Sequence, residues 1–320
     1  MKKNVSILLV LLFLMSFSTF PSCAEETLNI AFQYGLAYAP LIVMQEQRLI
    51  EAAYREASGK EVSVIWQQMS SGADINIGIA SGSIQIGFMG VAPAITGVGK
   101  HVGYKIFTNL SGQEHGLMVN RDDINGFADL IGSDDQLALV NLGSIQHILL
   151  AKTLVAAGYD AHALDTNLVA MKHPDGMTSL LTGSVAAHVT TNPYIYKERS
   201  TEGLHEIENM PAIWPVENSF IVGVASEDLF YDDPVLYEAV CTAVTHAIEF
   251  INADPEAAAA ITCTYNGNSF EDELTYLRLG SYGTETRGVT ELAAFMYAQA
   301  FIESDPGGYS DLVFDNVKGN

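Results

Sequence analysis

One short pattern occurs twice in this chain. Ala80-Ser81-Gly82-Ser83-Ile84 and Leu181-Thr182-Gly183-Ser184-Val185 stand 101 positions apart, each joining a helical stretch to an apolar run of strand length. The surroundings match as well. Ser71-Gly72 opens the first helix and Pro174-Asp175-Gly176 the second. Gly90-Val91-Ala92-Pro93 follows the first strand, and Asn192-Pro193-Tyr194 follows the second. A single echo at this distance describes two similar halves, because stacked repeats recur every ~20–50 residues. Each half is a helix, strand, loop and helix of βαβ scale. The predicted fold class is therefore α/β, in two lobes with mixed sheets flanked by helices.

The stretch Ser70–Pro93 shows what each unit offers. Ser71 with Asp74 makes a capping-box pattern. Ile75, Ile79 and Ala80 give the following helix one apolar face, and Pro93 suits the first turn of the next helix. In open α/β sheets, ligands sit where strand ends meet helix starts. Those starts carry free N–H groups and a partial positive charge. The same reasoning selects Ser144, which follows a predicted strand at Gln136–Val140 and opens a helix over 145–157. Four helix starts, near Ser71, Gly90, Ser144 and Asn192, are thus candidate binding elements. Each contributes about 0.3–1 kcal/mol toward an anion, so several must act together. No Arg falls in these loops. That fits anion capture by helix ends alone, and equally a ligand without negative charge.

Strands are predicted at Leu28–Phe32, Glu61–Trp66, Ile84–Met89, Tyr104–Leu110, Gly116–Asn120, Leu168–Met171 and Ser219–Ala225. An aromatic loop, Tyr34 to Tyr38, leads into one helix over 39–53. The remainder reads as helices at 233–252, 255–264, 271–279 and 288–303. The Gly-rich tail is expected to lie over the surface. Residues 25–114 and 216–320 are read as one lobe and 115–215 as the other, inserted within it.

Lys2 and Lys3 precede the apolar run Val5–Phe20, and Glu25-Glu26 ends it. That is a signal peptide over 1–24, too short for a comfortable membrane span. Cleavage after Ala24 suits Ser22-Cys23-Ala24. The favoured alternative is Cys23 as a lipid-accepting cysteine, although Phe20-Pro21-Ser22 departs from the usual signal before it. The net charge is −23. Nucleic-acid binding is excluded, since it needs clustered Lys and Arg. An acidic surface suits an exported, monomeric protein and opposes long-range capture of anions.

Cys241 and Cys263 lie nearly level on two helices joined by the turn Asn252-Ala253-Asp254-Pro255. Export permits a disulfide there, and two free thiols fit equally well. His115, His147, His173 and His188 show no metal-ligand spacing, so they read as polar loop side chains and neither a metal nor a cofactor is expected. His147 is expected to support the cleft edge.

Tyr34–Glu46 (YGLAYAPLIVMQE), Ser71–Pro93, Glu114–Val119 (EHGLMV), Val140–Leu150 (VNLGSIQHILL), Pro174–Ser184 and Asn192-Pro193-Tyr194 together resemble one family. It is the periplasmic solute-binding proteins of ABC importers, in the sulfonate, taurine and nitrate (NMT1/THI5-like) branch. The resemblance implies a type II Venus-flytrap fold. A small organic anion would be held between the lobes and passed to a permease and its ATPase. It maps ligand contacts to Tyr34, Gly35, Ser70, Ser71, Gly90, Val91, Ser144, Ile145 and Asn192. Gln85 and Ala186 stand where the family often has Asp, and Thr191-Asn192 replaces a frequent Trp. Glu114, at the first crossing, is placed to pair with a ligand ammonium. Tyr34 is expected to wall an apolar ligand tail.

Besides a receptor that passes its solute to a membrane partner other than an importer, two rival readings remain at this level. One is a binding protein for a pyrimidine precursor of thiamine. The other is a cytoplasmic-type lyase or synthase on the same scaffold. An enzyme needs a paired acid and base in the cleft. Glu114 with Asp175 is the sole plausible carboxylate pair, and no catalytic residue is assigned.

Overall fold

A computed structural model describes residues 26–320. The signal peptide over 1–24 and lipidation at Cys23 lie outside the described residues. The strands are β1 (Glu26–Phe32), β2 (Val62–Gln68), β3 (Ile86–Gly90), β4 (Tyr104–Gly112), β5 (His115–Val119), β6 (Leu137–Leu139), β7 (Leu168–Ala170), β8 (Ala187–Thr191), β9 (His205–Ile207), β10 (Ile221–Ser226) and β11 (Ser281–Tyr282). They form two sheets, six-stranded β11-β4-β10-β3-β1-β2 and five-stranded β7-β6-β8-β5-β9. Both are mixed. In the first, β1 runs parallel to β2 and β3, while β10 runs antiparallel to β3 and β4. In the second, β6 runs parallel to β7 and β8, and β5 runs antiparallel to β8 and β9. The result is a two-lobe α/β protein. The chain leaves the first sheet after Gly112, enters the second at His115, and re-enters the first at Ile221.

The apolar runs explain the central strands. Ile86, Phe88 and Met89 of β3 are all fully buried. A near-continuous apolar run suits a strand covered by helices on both faces. The repeated joint is one physical device used twice. Gly82 (φ 73°) and Gly183 (φ 72°) both take the left-handed conformation after their helices. Ser83 N–H donates to the Gly78 carbonyl (3.0 Å) and Ser184 N–H to the Ser179 carbonyl (2.8 Å). Gly82 N–H reaches Ile79 and Gly183 N–H reaches Leu180. This is the Schellman closure, and glycine takes it without a Cβ penalty.

Two expectations are corrected, and one question left open, the state of Cys241 and Cys263, is decided. The single helix over 39–53 is two, Ala39–Gln47 and Leu49–Ser58. Arg48 (φ 52°) adopts the left-handed region and its N–H closes onto Gln45, which ends the first helix. The tail does not merely lie over the surface. Leu312, Val313 and Phe314 are buried, Phe314 stacks on Phe230 at 4.2 Å, and its N–H bonds Ile106 of β4 (3.0 Å). Cys241 and Cys263 are free thiols. Cys263 Sγ turns back to the Ala260 carbonyl of its own helix. Cys241 lies beside Tyr237 and Asn316, where burial pushes its thiol up to about 12.

Candidate binding cleft

A cleft of about 1140 Å³ lies between the two sheets. Tyr34, Gly35, Ser70, Ser71 and Gly90 line it from the first lobe, and Ser144, Ile145 and Asn192 from the second. The lobes approach closely at one point, where a Cβ on Gly90 would stand 3.3 Å from Ile145 Cγ2. Tyr34 is 57% exposed at the mouth, with the Lys172 ammonium over its ring at 5.1 Å.

Two helix starts, those at Gly72 and Ile145, open into the cleft with free amides. Ser71 Oγ accepts from Asp74 N–H (3.2 Å) and caps the helix Gly72–Ala80. The box is not reciprocal, because the Asp74 carboxylate takes the Ser71 hydroxyl (2.8 Å). Ser144 Oγ likewise accepts from His147 N–H and caps the helix Ile145–Ala156. In both cases the cap engages the third amide and leaves the first two free of protein acceptors among the described residues.

The other two starts differ from expectation. Val91 is fully buried outside the cleft wall, and its N–H donates to the Phe220 carbonyl (2.9 Å). Its amide is spent on joining β3 to the strand that returns from the second lobe. The helix after Asn192-Pro193 runs only over Tyr194–Arg199, and Pro193 has no N–H to give. Asn192 lines the cleft, yet its amide nitrogen is committed to Gln113 Oε1 (2.7 Å) and the Tyr276 carbonyl (2.9 Å). It fastens the lobe crossing.

Glu114 does not line the cleft. Arg199 Nη2 (2.7 Å) and the Tyr196 hydroxyl (2.6 Å) occupy its two oxygens. Half-burial opposes its charge, but these two donors hold its carboxyl below the usual carboxylate range. It forms an internal ion pair with Arg199 behind the cleft wall and is not a partner for a ligand ammonium within it.

Lysine supplies what the absence of arginine concealed. Lys100, Lys172 and Lys197 line the cleft, and no Asp, Glu or Arg among the described residues does. Lys197 Nζ bonds Asn268 Oδ1 (3.0 Å) and sits 5.7 Å from the centroids of both Tyr194 and Tyr276. Sequence reasoning missed these lysines because they lie outside the loop motifs: Lys100 at a helix end, Lys172 just before the Pro174 motif, and Lys197 one turn into a helix. It also missed Tyr265, Asn266, Asn268 and Phe301, which line the cleft from the distant C-terminal third. No local pattern signals them.

The histidines are not polar loop groups. His115 and His188 are fully buried, and burial pushes both rings down to about 3. His147 is the support expected of it. Its Nδ1 accepts from Gly143 N–H (3.0 Å), its Nε2 meets Asp165 (3.0 Å), and its ring stands edge-on to Phe301 at 5.1 Å. It thereby holds the turn that delivers Ser144.

Chemically, this cleft offers donors, positive charge and aromatic walls. An anion finds free helix amides and ammonium groups there, in a protein whose acidic residues are kept elsewhere. No carboxylate pair among the described residues faces into the cleft.

Binding proteins are among the solved structures with this architecture. The alkanesulfonate-binding protein SsuA from Xanthomonas axonopodis pv. citri, bound to MOPS, superposes with a TM-score of 0.73 at 17% identity. That match covers 93% of this chain and 100% of that one. The aliphatic sulphonate binding protein SsuA from Escherichia coli gives 0.69 at 18% identity, covering 92% and 94%. The nitrate-binding protein NrtA from Synechocystis PCC 6803 gives 0.62 at 16%, covering 78% and 69%. At these identities the likeness is one of fold. No curated protein sequence matches. The model of the NMT1-like family matches residues 23–265, most of the chain, and the protein therefore belongs to that family.

Proposed function

We propose that the protein is the extracytoplasmic solute-binding component of an ABC importer and that it captures a small organic anion of the sulfonate class. One observation carries this reading: three lysines and no carboxylate among the described residues line the cleft of a chain with net charge −23. Charge of that sign, concentrated against the sign of the whole molecule, points to a negatively charged ligand. Tyr34, Tyr194, Tyr265 and Phe301 add apolar wall. A space of about 1140 Å³ suits an organic anion better than nitrate. The sulfonate and nitrate neighbours support the anion class. Residues 25–114 with 216–320, and 115–215, are the two bodies that close on the ligand. The predicted leader supports export, and a permease and ATPase are the implied partners.

Titration calorimetry on the protein from residue 25 onward tests this. Ethanesulfonate, benzenesulfonate, taurine, nitrate and a hydroxymethylpyrimidine form the panel. Sulfonates are expected to bind without turnover. Binding of the pyrimidine alone, or chemical conversion of any probe, overturns the reading.

A further inference from the structure

Four buried or half-buried side chains run in file from the cleft into the second lobe. Gln146, 3% exposed, lines the cleft and places its amide nitrogen 3.2 Å from His173 Nε2. His173 Nδ1 lies 3.0 Å from His188 Nε2. His188 Nδ1 lies 2.6 Å from Glu198 Oε1, and both residues are wholly buried. The second carboxyl oxygen of Glu198 has no partner among the described residues. Among the described residues the Gln146 side chain is hydrogen-bonded through its amide nitrogen, to His173.

We propose that Gln146 is a specificity-determining residue that contacts the anionic head of the ligand, and that His173, His188 and Glu198 are positioning residues that decide which end of its amide faces the cleft. This rests on the anion-binding reading above.

Each neutral imidazole has one donor and one acceptor nitrogen, so the file is directional. With Glu198 ionised, His188 Nδ1–H donates to it and His188 Nε2 must accept. His173 Nδ1–H then donates inward and His173 Nε2 accepts from the Gln146 NH₂. The carbonyl oxygen of Gln146 is turned to the cleft, where it repels an anion. One added proton on the Glu198–His188 pair reverses every link. His188 Nε2–H now donates to His173 Nδ1, and His173 Nε2–H donates to the Gln146 oxygen. The Gln146 NH₂ is then turned to the cleft as an anion donor. The outcome is the same whether the proton rests on Glu198 Oε or on His188 Nδ1.

Physical conditions favour the reversal near neutral pH. Burial pushes the Glu198 carboxyl up to about 8. Titratable and charged groups face the file from every packed element, with Tyr194 of the Glu198 helix stacking on His173 at 5.5 Å. His188 and Thr190 come from β8, and His115 from β5. His173 and Asp175 come from the helix His173–Leu181, and Glu206 from β9. Lys197 and Arg199 share the Glu198 helix but are committed to Asn268, and to Glu114 and Glu206, respectively. The three histidines His115, His173 and His188 are all held below their ordinary range by burial, so they stay neutral where Glu198 titrates.

The sign follows. The anion prefers the protonated file, so affinity is full below the Glu198 transition and falls as pH rises through it. Ethanesulfonate and benzenesulfonate, which do not titrate in this range, are the probes. Calorimetry in buffers of different ionisation heat is expected to show proton uptake on binding near pH 8. Affinity should fall about tenfold between pH 7 and pH 9, the worth of one charge-assisted hydrogen bond. Glu198→Gln should abolish the uptake, and Gln146→Met should weaken binding and flatten the pH profile. Nitrogen-15 spectra of the ligand-free protein supply a separate readout. His173 should change from the Nε2–H to the Nδ1–H tautomer as pH rises from 6.5 to 9.5. Binding without proton uptake, uptake retained in Glu198→Gln, or a single His173 tautomer throughout overturns the proposal. If neither sulfonate binds at any pH, the anion-binding reading itself fails, while the tautomer spectra still judge the file.

Discussion

Lys197 is held as a ligand-binding ammonium should be. Two tyrosine rings flank it and Asn268 Oδ1 accepts one of its N–H bonds, so little side-chain freedom is left to lose on binding. An anion that meets it gains a charge-assisted hydrogen bond, about 1.5–3 kcal/mol. Lys197→Met is therefore expected to weaken sulfonate binding at least about tenfold, with the melting temperature nearly unchanged. Calorimetry and a thermal melt on the same preparation check it. Unaltered affinity would remove Lys197 from the site. Glu114 teaches the converse. Its place at the lobe crossing is as the sequence suggested, but Arg199, 85 positions away, claims it. A carboxylate takes the nearest guanidinium, and no local pattern reveals which one that is.

At the scale of elements, the two Schellman joints separate conformation from packing. A Cβ at Gly82 or Gly183 would meet nothing within 4 Å. Replacement by alanine therefore costs only the left-handed backbone, roughly 1–2 kcal/mol. Gly183→Ala is expected to lower stability by about that amount, read from the urea midpoint at unchanged slope. A loss below the error of the melt would mean the joint is not the closure described. The caps at Ser71 and Ser144 were legible because N-capping is local chemistry. That only two of the four starts keep free amides was not legible. Val91 loses its N–H to Phe220, 129 positions on, through the pairing of β10 with β3.

At the scale of the molecule, the lobes are tied by more than their crossings. Lys152 bonds Glu291 (2.6 Å), and His162 Nε2 meets the Gln299 carbonyl (2.7 Å). The Gln299 carbonyl and then the Asp165 carboxylate raise the His162 ring above its ordinary value. A group raised in this way contributes fully below its ordinary value of about 6.5, and the contribution is lost as pH rises through the raised one. The ligand-free lobes are thus expected to separate at higher pH. Small-angle scattering should give a larger radius of gyration at pH 8.5 than at pH 5.5, and His162→Gln should erase the difference. An equal change in that variant assigns the motion to another group.

What the chain alone determined was the part written in short-range terms. The doubled helix–glycine–strand joint, the capping serines and the apolar strand runs all act within a few residues. They led directly to two α/β lobes with a cleft between them. Tertiary structure alone decided the chemistry of that cleft. Lys197 from one lobe, Tyr265 from the C-terminal third and Tyr34 from the loop after β1 come to line one cleft only when the chain has crossed between sheets and returned. The buried file behind Gln146 arises in the same way, because burial turns polar side chains from separate elements into one hydrogen-bonded chain.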